Sequence, residues 1–107
     1  MQVTIKYPKW HETLDQSKTL TLEYPGQGKR HAAILEELFA LCGNHPENSL
    51  PNWAGYKMRS MSVGDFVSLD GFWYQVAGCG FIKVSRTRVK KIMNMPKYDT
   101  WADKALR

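Results

Sequence analysis

The sequence predicts an α+β domain: a small antiparallel sheet or partly closed barrel of about five strands, one packed amphipathic helix, and a short basic helix near the carboxyl end. Three observations carry that prediction. Residues 2–7 and 19–24 alternate apolar and polar side chains, residues 31–42 repeat apolar side chains at helical spacing, and Asp70-Gly71 separates two further strand-like runs. At 107 residues the chain has the size of one domain, so residues 1–107 are read as a single folding unit.

The first strand, 2–7, sets Val3, Ile5 and Tyr7 against Gln2, Thr4 and Lys6, and Pro8 stops it because proline has no N–H to give to a ladder. The second, 19–24, sets Leu20, Leu22 and Tyr24 against Thr19, Thr21 and Glu23 and stops at Pro25-Gly26. A hairpin with a long connection, 8–18, is the simplest way to join them. That connection carries Trp10 and His11, which makes it a candidate contact surface.

Between 25 and 30 two glycines and a proline mark a loop, and a helix follows. Ile34, Leu35, Leu38, Phe39, Leu41 and Cys42 define its apolar side, Glu36 and Glu37 its polar side, and Gly43 or Asn44 suits its end. Residues 43–58 are rich in Gly, Asn and Pro and read as an irregular loop. Trp53 and Tyr56 lie within it.

The Asp70-Gly71 pair suits a two-residue type I′ turn, whose two central positions both need positive φ. In that register Leu69 faces Phe72 and Val67 faces Tyr74, so these four share one side with Val76 while Phe66, Ser68, Trp73 and Gln75 share the other. Gly78-Cys79-Gly80 then turns the chain into a short strand at 81–84, completing a three-stranded meander. Ser85 is placed to cap a short helix with Val89, Ile92 and Met93 on one side and Arg86, Arg88, Lys90 and Lys91 around the rest; Pro96 ends it. Residues 97–107 either add another turn around Trp101, Ala102 and Leu106 or fray. The expected core is Leu20, Leu22, Leu35, Leu38, Phe39, Val67, Leu69, Tyr74, Val76 and Ile82.

Composition narrows the class of protein. A hydrophobic fraction of 43% with 12% aromatics excludes a disordered chain. No apolar run reaches the roughly 18 residues a bilayer span needs and the opening residues lack a secretory pattern, so the expected location is the cytoplasm, with no membrane partner. The two cysteines, Cys42 and Cys79, are then expected to stay reduced and buried. Charge is segregated: residues 1–82 hold seven Lys/Arg against eight Asp/Glu, whereas residues 83–107 hold eight Lys/Arg against two Asp. Such concentration points to an anionic partner, because a focused field attracts what a dispersed one does not.

At Arg59-Ser60-Met61-Ser62-Val63-Gly64-Asp65, followed by an apolar strand, Tyr74 and Gly80-Phe81, the sequence resembles the YodL-like domains and related short proteins encoded by plasmids, phages and conjugative elements. Leu35-Glu36-Glu37-Leu38-Phe39 and Asn44 resemble the helix and loop that precede that motif, so the resemblance covers roughly residues 35–84. Read physically, the motif is an entry to a curved sheet: Gly64 permits a tight turn, Asp65 bonds nearby backbone amides, and a strand starts at Phe66. That is a fold signature rather than a site. The resemblance implies a setting, an accessory of a mobile element acting in host counter-defence or element maintenance, and no particular chemistry.

Other constellations are weaker. Cys42-Gly43-Asn44-His45 is a Cys-x-x-His pair to which Cys79, His31 or His11 could add ligands, but the spacing matches no familiar zinc module, and no nucleophile signature surrounds either cysteine. No metal, cofactor or catalytic residue is therefore assigned. The loop before the first helix lacks the Gly-Lys-Ser/Thr ending of a phosphate loop, yet Lys29 and Arg30 beside a helix start could hold an anion. The strongest candidate is the cluster Lys83, Arg86, Arg88, Lys90 and Lys91, expected to form one continuous exposed patch, with Trp73, Phe66, Trp53 and Tyr56 offering rings for stacking or for a protein hot spot. The competing reading of the same residues is an ordinary solvated helix face and core aromatics. Two functional classes follow: a non-enzymatic accessory protein binding a host protein or nucleoprotein complex, of the anti-restriction or anti-CRISPR type, or a small DNA- or RNA-binding regulator or plasmid maintenance protein.

Overall fold

The computed structural model describes residues 1–9, 18–26, 28–43 and 61–107. Trp10, His11, His45, Trp53, Tyr56 and Arg59, singled out above, lie outside the described residues. Five strands, β1 (Gln2–Tyr7), β2 (Lys18–Glu23), β3 (Phe66–Leu69), β4 (Phe72–Ala77) and β5 (Gly80–Val84), form one antiparallel sheet in the order β2-β1-β3-β4-β5. The sheet is open, with β2 and β5 at its edges, so the partly closed barrel entertained from the sequence is not formed. Helix α1 (His31–Gly43) covers one face, and helix α2 (Arg86–Met93) with a terminal 3₁₀ turn (Lys104–Leu106) packs on the other. No helix among the described residues is long and apolar enough to cross a membrane.

The alternation read from the sequence decides which side chains meet which helix. Val3, Ile5, Tyr7, Leu20, Leu22, Val67, Leu69 and Val76 point to the α1 side and are buried with Ile34, Leu35, Leu38 and Cys42. Each such aliphatic side chain contributes about 1.5–3 kcal/mol relative to exposure. Asp70 (φ 51°) and Gly71 (φ 83°) both adopt positive φ, and the ladder pairs Leu69 with Phe72 and Val67 with Tyr74 as the type I′ turn requires. Gly64 has φ 101°, the Ser62 N–H donates to Asp65 Oδ2 at 2.7 Å, and β3 begins at Phe66, so the entry motif acts as its residue types suggest.

Several core assignments need correction. Phe39 is 36% exposed and Leu41 47%. At about 100° per residue, these two flank the arc from Ile34 to Leu35 that faces the sheet. Phe39 instead packs edge-on to Phe81, ring centroids 6.2 Å apart. Tyr74 is only half-buried, and Ile82 is half-buried against the opposite cluster. Cys42 is buried in the core, where loss of solvation pushes its thiol up to about 11, but Cys79 is exposed in the β4–β5 turn; both are free thiols.

Candidate functional site

The second face of the sheet is divided. Over β3, β4 and β5, Phe66, Ala77, Val89, Ile92, Tyr98 and Leu106 form a buried cluster with Trp73, Ile82 and Val84 partly buried against it. Phe66 is wholly buried, which removes it from the candidate contact rings. Over β1 and β2 the same face carries Thr4, Lys6, Thr19 and Thr21, all half-buried or exposed. The register makes these one surface: Thr21 pairs with Thr4, Thr4 with Ser68, and Ser68 with Trp73. A row of hydroxyls thus runs across three strands and ends on an indole.

Helix α2 flanks that row. Ser85 caps it, its hydroxyl accepting from the Arg88 N–H at 3.1 Å, and Val89 and Ile92 anchor it on the apolar cluster. Arg86 and Lys90, four residues apart, lie side by side on the flank nearest the open sheet. Together with Lys6, Ser68 and Trp73 they line a groove floored by Val89 and Met93. Lys6 Nζ sits 5.7 Å from the Trp73 ring centroid, a cation–π distance. The groove contains three cations and no acid among the described residues that line it.

The predicted basic cluster is therefore not one continuous patch. Lys83 lies on the α1 side of the sheet, its ammonium 4.2 Å from the Phe72 ring centroid. Lys91 occupies the far flank of α2, beside a second groove with Lys97 and Lys104, where Asp99 and Asp103 offset the charge. Arg88 turns inward. Its Nη2 meets Asp103 Oδ2 at 2.7 Å, and Nη2 and Nε donate to Gln75 Oε1 at 2.8 and 3.0 Å. Gln75, wholly buried, donates in turn to the Gly64 carbonyl and to Tyr98 Oη, and Tyr98 donates to Asp103.

This network fastens the C-terminal segment to the sheet. Partial burial works against the Asp103 carboxylate, but hydrogen bonds from Tyr98, Arg88 and the Ala105 N–H outweigh it and hold the carboxyl below its usual range. Burial first, and the bond to Asp103 second, push the Tyr98 phenol up. Arg88 thus has its charge spent internally, which no local feature of the sequence indicates.

At the start of α1 the candidate anion seat is also taken. Lys29 donates to both Glu37 oxygens at 3.0 and 3.1 Å, and Tyr24 donates to the same carboxylate, an arrangement that pushes the Tyr24 phenol up to about 12. Arg30 is exposed beside it. His31 bridges Tyr74 Oη at 2.7 Å and Asp70 at 2.9 Å, linking the helix start to the β3–β4 turn. Among the described residues, no group of three or more His, Cys, Asp and Glu is placed to hold a metal ion.

Fold and site together define an α+β domain whose sheet face and second helix form a cationic groove around a tryptophan, with no acid among the described residues that line it. Comparison of the chain with protein-family models, with curated proteins and with solved structures finds no match. Lys6 is the residue the sequence reading missed. Its place on the polar side of the first strand was visible, but its neighbours depend on β1 pairing with β3, a contact between residues some sixty positions apart.

Proposed function

We propose that this chain is a non-enzymatic accessory protein of a mobile genetic element that binds a host protein or nucleoprotein complex in counter-defence, of the anti-restriction or anti-CRISPR type. The carrying observation is the groove of Lys6, Arg86 and Lys90 around Trp73, open to solvent and free of acids among its described lining residues. Such a surface favours an anionic partner and disfavours a basic one, which is how charge selects partners. The setting rests on the resemblance to YodL-like proteins.

Affinity capture from host lysate tests the reading. The wild-type chain recovers a stoichiometric partner, and the Lys6→Glu, Arg86→Glu, Lys90→Glu variant loses it while keeping its thermal midpoint; equal recovery by both chains excludes the groove as the contact. A second reading, a small nucleic-acid-binding regulator or plasmid maintenance protein, is favoured specifically by the half-buried Trp73 among cations, since an aromatic face beside phosphate-binding groups is the usual platform for bases.

A further inference from the structure

Resting on the proposed binding function, we infer that the groove takes single-stranded nucleic acid, so that the chain contacts an exposed strand of its nucleoprotein target. Three features favour this ligand over an acidic protein. The cations are spaced around an indole rather than clustered alone: Lys6 lies diagonal to Trp73 on the sheet, and Arg86 and Lys90 stand on the helix beside it. The surface leading to them is a row of hydroxyl groups, Thr21, Thr4 and Ser68, able to donate to or accept from phosphate, sugar and base edges alike. The row crosses from β2 to β4, three interstrand spacings or roughly 14 Å, which accommodates a short extended strand.

Shape argues against a duplex. The cationic side chains of α2 face a concave groove rather than a protruding ridge, and a recognition helix must project to enter a major groove. A single strand instead lays its unstacked bases on the sheet. One stacks on Trp73, displacing the Lys6 ammonium toward a phosphate, while Arg86 and Lys90 hold the backbone on the helix side.

Fluorescence anisotropy with labelled single-stranded oligo-dT and oligo-U, and with a mixed-sequence DNA duplex of equal length, tests the inference on the full chain. Both single strands bind more tightly than the duplex, and the logarithm of affinity falls with the logarithm of salt at a slope of about −2, as three phosphate contacts require at roughly −0.7 each. Each of Lys6→Gln, Arg86→Gln and Lys90→Gln flattens the slope by about 0.7. Lys97→Gln, in the other groove, leaves it unchanged. Trp73→Ala weakens binding about 5- to 150-fold, and Trp73→Phe, which keeps a ring for stacking and for the core, weakens it much less. No binding at low salt, equal affinity for duplex, or an equal response to Lys97→Gln overturns the inference. Capture of a nucleic-acid-free protein through the same three cations, with no oligonucleotide binding, also overturns it while leaving the proposed function standing.

Discussion

The two faces of the sheet are stabilised by different physics. Beneath α1, aliphatic side chains of β1, β2, β3 and β4 interdigitate with Ile34, Leu35 and Leu38. Among the described residues, the opposite face is covered over β3, β4 and β5, by a smaller apolar cluster and a chain of hydrogen bonds through Gln75, Arg88, Tyr98 and Asp103. The α1 face is filled over β1, β2 and β3 and opens toward Phe72 and Lys83, whereas the face closed by a short helix and a polar network is filled from the other side of the sheet. The half left open by the described residues is where the proposed binding residues Lys6, Arg86 and Lys90 have room.

Truncation on the filled face should have the largest effect. Leu38 is wholly buried at the centre of α1, and Leu38→Ala should cost about 2–5 kcal/mol by lost burial plus the cavity left behind. Urea unfolding followed by far-UV circular dichroism measures it. A loss below about 1 kcal/mol would mean the face relaxes around the gap, and the contrast between the faces would weaken.

On the second face the corresponding element is polar. Asp103→Asn leaves Arg88 without its charge partner and should cost about 1–3 kcal/mol. The effect has a pH signature. Because Asp103 titrates below its unfolded value of about 3.9, its contribution is complete above that pH and is lost as pH falls through the lower folded-state value. The stability gap between the native chain and the Asn variant should therefore be widest at neutral pH and close below about pH 4. A gap constant from pH 7 to 3 would show that the carboxylate charge contributes nothing.

These two predictions also mark what the sequence could and could not reveal. Period-two alternation specified β1 and β2, and the Asp70-Gly71 pair specified β3, β4 and their register, because both signals are local. Ser85 and the apolar spacing of Val89 and Ile92 specified α2 for the same reason. What failed was non-local. Arg88 looked like Arg86 and Lys90 until Gln75 and Asp103 were found beside it, and the exposure of Phe39 and Leu41 depends on where the sheet ends beneath α1. Lys6 joined the site only through a strand order that no short window encodes.

Two glycines separate backbone strain from packing on this second face. At Gly71 (φ 83°) a Cβ would meet nothing within 4 Å, so Gly71→Ala should cost only the left-handed penalty, about 1–2 kcal/mol. At Gly64 (φ 101°) the same methyl would lie 2.6 Å from Thr100 Cγ2 and 3.0 Å from Tyr98 Cε2, and Tyr98 is fixed by Gln75 and Asp103. Gly64→Ala should therefore destabilise more than Gly71→Ala in the same melt and loosen the C-terminal segment, read as faster amide exchange at Ala105 and Leu106. Equal losses would indicate that the segment shifts freely and that the polar network is a weak fastening.

The smallest stability effect is expected where the functional effect is largest. Lys6, Arg86 and Lys90 make no ion pair with any described acid, and repulsion among three cations in one groove opposes folding slightly. Neutralising each to Gln should leave stability within about 0.5 kcal/mol, as for exposed side chains generally. For Arg86 and Lys90, where the change is resolved, it should be a gain that shrinks as salt screens the groove, whereas Lys6→Gln also gives up the cation–π contact with Trp73. Arg88→Gln, two residues from each of Arg86 and Lys90 and so on the other side of the helix, should instead destabilise the fold at any salt, because Gln75 and Asp103 lose a part-buried charged donor. Thermal melts of the four variants at low and high salt would distinguish them. If Arg86 and Lys90 behaved like Arg88, all three would be structural, and the open half of the sheet would lose its claim to be a binding surface.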